Sequence, residues 1–120
     1  MADYPKAANN ETLLIVLIED IVAVENLEEI LTVDHIDAFL VAPNDLASSM
    51  GYTGEMNHPE AVAVKDRALR TIVDAGRTAG SLAFNHTAAD LVSQGVRLLL
   101  TPVAPWLAKG AADFLAKARG

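Results

Sequence analysis

Apolar residues in this chain come in two rhythms. Short unbroken runs alternate with longer stretches in which apolar positions recur every three to four residues. "LLIVLI" (13–18) is the first run, and its continuity predicts a strand buried on both faces. "EDIVAVENLEEIL" (19–31) follows, with Ala23, Leu27, Ile30 and Leu31 on one helical face and acids on the other. "AFLVA" (38–42) predicts the second strand, entered through the polar turn "TVDHID". The segment "PNDLASSMGYTGEMNH" (43–58) reads as a loop that leads to Pro59, which suits the first turn of a helix. Ala61, Val64, Ala68, Ile72, Ala75 and Ala79 extend that helix to about residue 79, with Gly80 as its stop. "SLAF" (81–84) is the third strand, and "TAAD" (87–90) has the form of a capping box opening a short helix that ends at Gly95. "RLLL" (97–100) is the fourth strand. A last helix puts Leu107, Ala111, Phe114, Leu115 and Ala118 on one face.

Strands alternating with helices across short connections predict an α/β fold of four βα units with parallel strands. No linker, low-complexity segment or residue-level repeat divides residues 1–120, which read as one domain. Two architectures fit: the C-terminal half of a (β/α)8 TIM barrel, and an open flavodoxin-like sheet. Periodicity does not choose between them. In both, functional residues gather at the carboxyl ends of the strands.

Composition sharpens this picture. Hydrophobic residues make up 52% of the chain and mean hydropathy is +0.26. That bias suits a doubly buried sheet or a surface meant for a partner. The net charge of −7 argues against a nucleic-acid footprint. No cysteine is present, which excludes disulfides and thiolate metal sites. The longest apolar run falls far short of a membrane span, and "MADYPKAANNET" lacks the apolar stretch of a signal peptide. The expected location is the cytoplasm, with no membrane contact.

The strand ends carry Glu19, then Asp45 just past Pro43, then Asn85 and His86, then Thr101. Neighbouring parallel strands lie about 4.8 Å apart, so carboxylates ending two of them can reach one cation. Two hard oxygen ligands favour Mg²⁺ or Mn²⁺, which keep open positions for water and substrate. The plainer reading makes Glu19 a first-turn acid facing a helix dipole and Asp45 an N-cap. His86 reads as a polar loop residue beside Thr87, His58 as structural at a helix entry, and His35 as surface. Arg67 and Arg70 belong to a solvated helix face, and Trp106 to a packing anchor at the start of the last helix.

Two segments carry a resemblance. "LLIVLIEDIVAVENLEEIL" resembles the "IET…A-x-x-NL-x-x-I" segment of the HpcH/HpaI family of metal-dependent (class II) pyruvate aldolases. "IDAFLVAPNDLASSMGYTGEMNHPE" is similar to that family's "D-x-x-x-IGP-x-DLS-x-S-x-G…G…HPE" signature, and the likeness runs from about Tyr4 to the end. The resemblance implies a carbon–carbon lyase that joins or cleaves pyruvate and an aldehyde through a metal-stabilised enolate. It implies Glu19 and Asp45 as ligands of Mg²⁺ or Mn²⁺, with Asp45 also a local cap. It also implies pyruvate binding at Ala42, Pro43 and Asn44, through backbone N–H groups between Ala42 and Asp45.

The sequence departs from the family in three ways. It matches only the C-terminal half of a barrel of roughly 250 residues. The family's base histidine and pyruvate-orienting arginine lie in the other half, so no catalytic residue is identified in this chain. Leu17 stands where the family often has a substrate-contacting glutamine, and Ala42 replaces a glycine. A half barrel leaves two strand edges and an inner face uncovered. The expected partners are therefore further copies of the chain, as a homo-oligomer, or a complementary N-terminal half. A non-catalytic metal or oxo-acid binding module, or a self-assembling half barrel, is the alternative to an aldolase.

Overall fold

The computed structural model describes Ala8 and residues 11–119. Most of the N-terminal stretch read for a signal peptide lies outside them. Four strands, β1 (Ile15–Ile18), β2 (Ala38–Val41), β3 (Ala79–Leu82) and β4 (Leu98–Leu100), form one parallel sheet in the order β1-β2-β3-β4. Between and after them come α1 (Ile21–Glu25), α2 (Leu27–Ile30), α3 (Pro43–Ser49), α4 (Pro59–Asp74), α5 (Ala88–Ser93) and α6 (Ala104–Arg119).

The strand order decides between the two architectures. A doubly wound sheet reverses direction at a switch point. Here every crossover steps to the next strand in the same sense, and right-handed connections then put the crossover helices on one side. The open flavodoxin-like alternative is thereby excluded, and the half-barrel arrangement stands.

Side-chain alternation assigns the two faces. Ile18, Phe39, Val41, Ala79 and Ala83 join Leu69 and Ile72 of α4, Leu91 of α5 and Leu27 of α2 in one buried cluster. Ser81 lies buried on this face too, its hydroxyl donating to the Val41 carbonyl at 3.0 Å. The opposite face carries Ile15, Leu17, Leu98 and Leu100, outside the cluster. Ile15 is 41% exposed, and Leu17 and Leu100 are each 54% exposed. Burial on both faces, expected from the continuous apolar run, therefore fails for β1.

Several boundaries differ from the sequence expectation. The helix through Ala61 ends at Asp74, and Gly76 at φ 71° turns the chain out of it. Ala79 and Gly80 belong to β3 instead. Ala79 packs fully buried beside its pairing partner Phe39. Gly80 leaves room for Leu98, whose Cβ and Cδ2 lie 3.0 Å from where a Gly80 Cβ would stand. The helix after β1 breaks at Asn26 into α1 and α2, where the Asn26 side chain donates to the Val22 carbonyl at 2.8 Å. Residues 43–49 are helical rather than loop. Thr87 precedes α5 but makes no capping bond; its hydroxyl instead accepts from Phe84 N at 3.0 Å.

No residue of α6 is buried, although its apolar face forms as expected; Leu107 and Phe114 are among the most exposed side chains. Trp106 is 51% exposed and no core anchor; its indole N–H donates to Asn85 Oδ1 at 3.2 Å. The radius of gyration, 17.9 Å, exceeds the ~14 Å of a compact domain of this length.

Candidate functional site

Glu19 and Asp45 leave adjacent strands at the same end of the sheet. β1 and β2 pair in register from Ile15–Ala38 to Ile18–Val41. Glu19 follows Ile18 directly and is half-buried. By strand alternation it continues the Ile15 and Leu17 face, away from the helices. Asp45 lies exposed in the first turn of α3, whose N-cap is Ala42 with Pro43 in the first turn. Asp45 is therefore not the N-cap: Ala42 holds that position, and the helix begins at Pro43, two residues before Asp45.

Two hydrogen bonds tie the segments that carry these carboxylates. Ala42 N donates to the Ile18 carbonyl at 3.1 Å, extending the β1–β2 ladder to the base of the site. Ser49 Oγ accepts from Ile21 N at 3.0 Å and donates to the Leu46 carbonyl at 2.8 Å. The Glu19 turn and the Asp45 helix are thus pinned at both ends. Glu19 is also not the acid at the α1 terminus. That role falls to Asp20, the N-cap, whose carboxylate accepts from Val22 N at 2.8 Å. An Asp immediately before an apolar helical run is a standard start signal and could have identified Asp20. Ser49 carries no such signal, since its partner is 28 residues away.

The same ladder narrows the backbone donors. Ala42 N–H is committed to Ile18, and Pro43 has no N–H. Asn44 and Asp45 remain as first-turn N–H groups, which lack intrahelical acceptors. A cleft of about 550 Å³ opens beside them, lined by Asn44, Glu55, Met56, His58 and Phe84 among others. It reaches the site only through Asn44; neither carboxylate lines it.

The remaining candidates sort themselves by surroundings. His58 caps α4, its side chain accepting from Glu60 N at 3.4 Å, and its ring stacks on Tyr52 with centroids 3.7 Å apart. It is structural, as its position before Pro59 suggested. Tyr52 donates to the Glu60 carboxylate at 2.7 Å. This bond, followed by slight desolvation and the charges of Glu60 and Glu55, holds its phenol above the usual tyrosine pKa. His35 is exposed with φ 62°, and Arg67 and Arg70 are exposed on α4. His86 is exposed, stacked on Phe84 at 5.9 Å.

Among the described residues, no three His, Cys, Asp or Glu side chains converge as a metal cluster. Glu19, just past β1, and Asp45, in the first turn of α3, are two hard oxygen donors at the same end of the sheet. Such a pair fits Mg²⁺ or Mn²⁺, which are commonly held by one or two carboxylates while substrate and water complete the shell. No helix among those residues is long and apolar enough to cross a membrane.

Comparison with known proteins bears on the family and the fold. The sequence is 45% identical over 80 residues to a hydroxypyruvate/pyruvate aldolase of Cupriavidus necator, covering 67% of this chain and 30% of that protein. It is 39% identical over 88 residues to a 2-keto-3-deoxy-L-rhamnonate aldolase of Klebsiella pneumoniae, covering 73% and 33%. The fold matches a HpcH/HpaI aldolase/citrate lyase family protein from Burkholderia cenocepacia with a TM-score of 0.84 and 30% identity, covering 98% of this chain and 47% of that one. The chain thus spans about a third of the curated relatives it matches and about half of the structural one. The model of the HpcH/HpaI aldolase/citrate lyase family matches residues 2–99, and the chain belongs to that family.

Proposed function

We propose that this chain is the metal-bearing half of a class II pyruvate aldolase, joining or cleaving a carbon–carbon bond between pyruvate and an aldehyde by way of the pyruvate enolate. One observation carries the reading: Glu19 directly follows β1, and Asp45 lies in the first turn of α3 just past the neighbouring strand β2, on segments tied together through Ala42 and Ser49. Glu19 and Asp45 would hold Mg²⁺ or Mn²⁺. When bound, the cation would supply Lewis-acid charge for the anion that develops on the pyruvate oxygens. The N–H groups of Asn44 and Asp45 would donate to the pyruvate carboxylate, with Ala42 and Pro43 forming the wall beneath it. Leu17 contributes an apolar floor and no hydrogen bond, so substrate orientation falls to the α3 backbone.

The second reading is the metal or oxo-acid binding module. On this reading the chain binds a divalent ion and a 2-oxo acid without turning them over. Deuterium exchange at the pyruvate methyl, followed by NMR with Mg²⁺ present, separates the two. Exchange that disappears in Glu19→Gln supports the aldolase. Pyruvate binding without exchange supports the binding module. Neither binding nor exchange in folded protein would defeat both.

A further inference from the structure

The loops that follow β3 and β4 enclose, with α6, a cleft of about 230 Å³ whose chemistry the Glu19/Asp45 site does not use. The β3–β4 ladder runs on to Ala83 N, which donates to the Leu100 carbonyl at 2.8 Å, so the two loops leave the sheet side by side. Asn85 and His86 line the cleft from the first loop, Thr101 from the second, and Trp106 and Lys109 from α6. The Trp106 indole N–H donates to Asn85 Oδ1 at 3.2 Å and ties α6 to the first loop. The His86 ring stacks on Phe84, with planes 12° apart.

The polar groups left over are donors. The bond from Trp106 commits the Asn85 oxygen and leaves its Nδ2 hydrogens. Lys109 brings an ammonium, His86 a ring N–H and Thr101 a hydroxyl. Lys109 bonds Asp113 at 2.7 Å, with the two side chains 73% and 58% exposed. An exposed pair of this kind contributes little, so the ammonium is free to turn to a ligand. No carboxylate lines this cleft, although the chain carries a net charge of −7. The larger clefts beside α3, between α4 and α5, and between α2 and α4 include Glu55, Asp66, and Glu28 with Asp74. Converging donors with no carboxylate to compete for them select an oxyanion.

We propose that this cleft binds the terminal oxyanion, a carboxylate or a phosphate monoester, of the aldehyde that meets pyruvate at the Glu19/Asp45 end of the sheet. Its position suits a substrate tail. Neighbouring strands lie about 4.8 Å apart, so the ends of β3 and β4 stand about 5 and 10 Å from the end of β2, within reach of a short carbon chain. Phe84, Pro102 and Trp106 supply apolar surface for that chain. In (β/α)8 enzymes the loops after the last two strands frequently hold a phosphate. β3 and β4 take those places in the C-terminal half barrel that the family signature implies. The identity of the tail rests on the aldolase reading, whereas capture of an oxyanion by the cleft does not.

Trp106 is the chain's single tryptophan, so its fluorescence and its indole N–H resonance report on the cleft without labelling. At constant ionic strength the chain is titrated with inorganic phosphate, with succinic semialdehyde, whose tail is a carboxylate, and with butanal, its uncharged counterpart. A saturable Trp106 response to phosphate or to succinic semialdehyde is expected, and the tighter of the two names the tail. Lys109 is exposed, and Lys109→Met should weaken that binding about tenfold while Lys109→Arg keeps it. A response to butanal as strong as to either anion, a response unchanged in Lys109→Met, or no saturable response overturns the proposal. Mn²⁺ binding should be the same in Lys109→Met and wild type. Absence of Mn²⁺ binding with the anion response intact overturns the aldolase reading alone; the reverse pattern overturns the anion cleft alone.

Discussion

Ser49 joins the two halves of the candidate site: its hydroxyl accepts from Ile21 N at 3.0 Å while donating to the Leu46 carbonyl at 2.8 Å. Glu19 and Asp45 thereby sit on segments joined through one hydroxyl. Ser49→Ala leaves Ile21 N–H without its partner and should cost about 1 kcal/mol of stability. Mn²⁺ affinity should fall further than that small loss would suggest, because ligand positions depend on such supporting bonds. Thr at this position should restore binding. Metal titration and thermal unfolding, run side by side on both variants, check this; equal affinity in Ser49→Ala and wild type would count against it.

Arg77 staples the other end of the sheet. Its guanidinium donates to the carbonyls of Leu31, Val33 and Ile36 and lies over the Phe39 ring, 4.8 Å from the centroid. Arg77→Leu should destabilise the fold by about 2–3 kcal/mol, through lost charge-assisted bonds and three abandoned acceptors. Lysine should recover little of this, since it lacks the planar fork. Urea unfolding gives the stability. Metal affinity should be unaffected in the folded protein, because Arg77 is remote from the strand ends that carry Glu19 and Asp45.

Gly80 and Leu98 form a tight pair on the inner face. An added Cβ at Gly80 would lie 3.0 Å from both Leu98 Cβ and Cδ2. Gly80→Ala should therefore cost about 1–3 kcal/mol by overpacking. In the background of Leu98→Ala the same substitution should cost much less, and a double-mutant cycle in urea measures the difference. Additive costs would show that the clash is relieved elsewhere.

Tyr52 supplies a pH prediction. Its phenol donates to Glu60, and its pKa is raised chiefly by that bond. A group whose folded pKa is raised contributes stability below its unfolded pKa and loses it as pH climbs through the folded value. The contribution of the Tyr52–Glu60 pair should thus persist at neutral pH and fade in strong alkali. The chain has two tyrosines, so Tyr52→Phe isolates the other in a phenolate absorbance titration. Glu60→Gln should bring the Tyr52 transition down toward the ordinary tyrosine range.

Much of this fold was legible because its signals were local. The run at 38–42 became β2 almost unchanged, Pro59 opened α4, and Gly95 at φ 91° followed α5. Ala79 and Gly80 misled because small residues suit both a helix face and a crowded strand. The contacts that decided between them, Phe39 and Leu98, are distant in sequence. Thr87 had the spacing of a cap, but its hydroxyl found Phe84 first. In the site, the carboxylates were legible through strand ends and resemblance. Their support was not, because Ser49 acts across 28 residues. The exposure of α6 lay equally beyond the pattern, which fixes a helix face without saying what covers it.

The decisive measurement is Mn²⁺ binding followed by electron paramagnetic resonance, with and without pyruvate, on wild type, Glu19→Ala and Asp45→Ala. Binding should be present in wild type, change its spectrum when pyruvate is added, and be lost in both variants while their circular dichroism is retained. A well-folded wild type that binds no Mn²⁺, or variants that bind it as tightly as wild type, would contradict the assignment of Glu19 and Asp45 as one metal site.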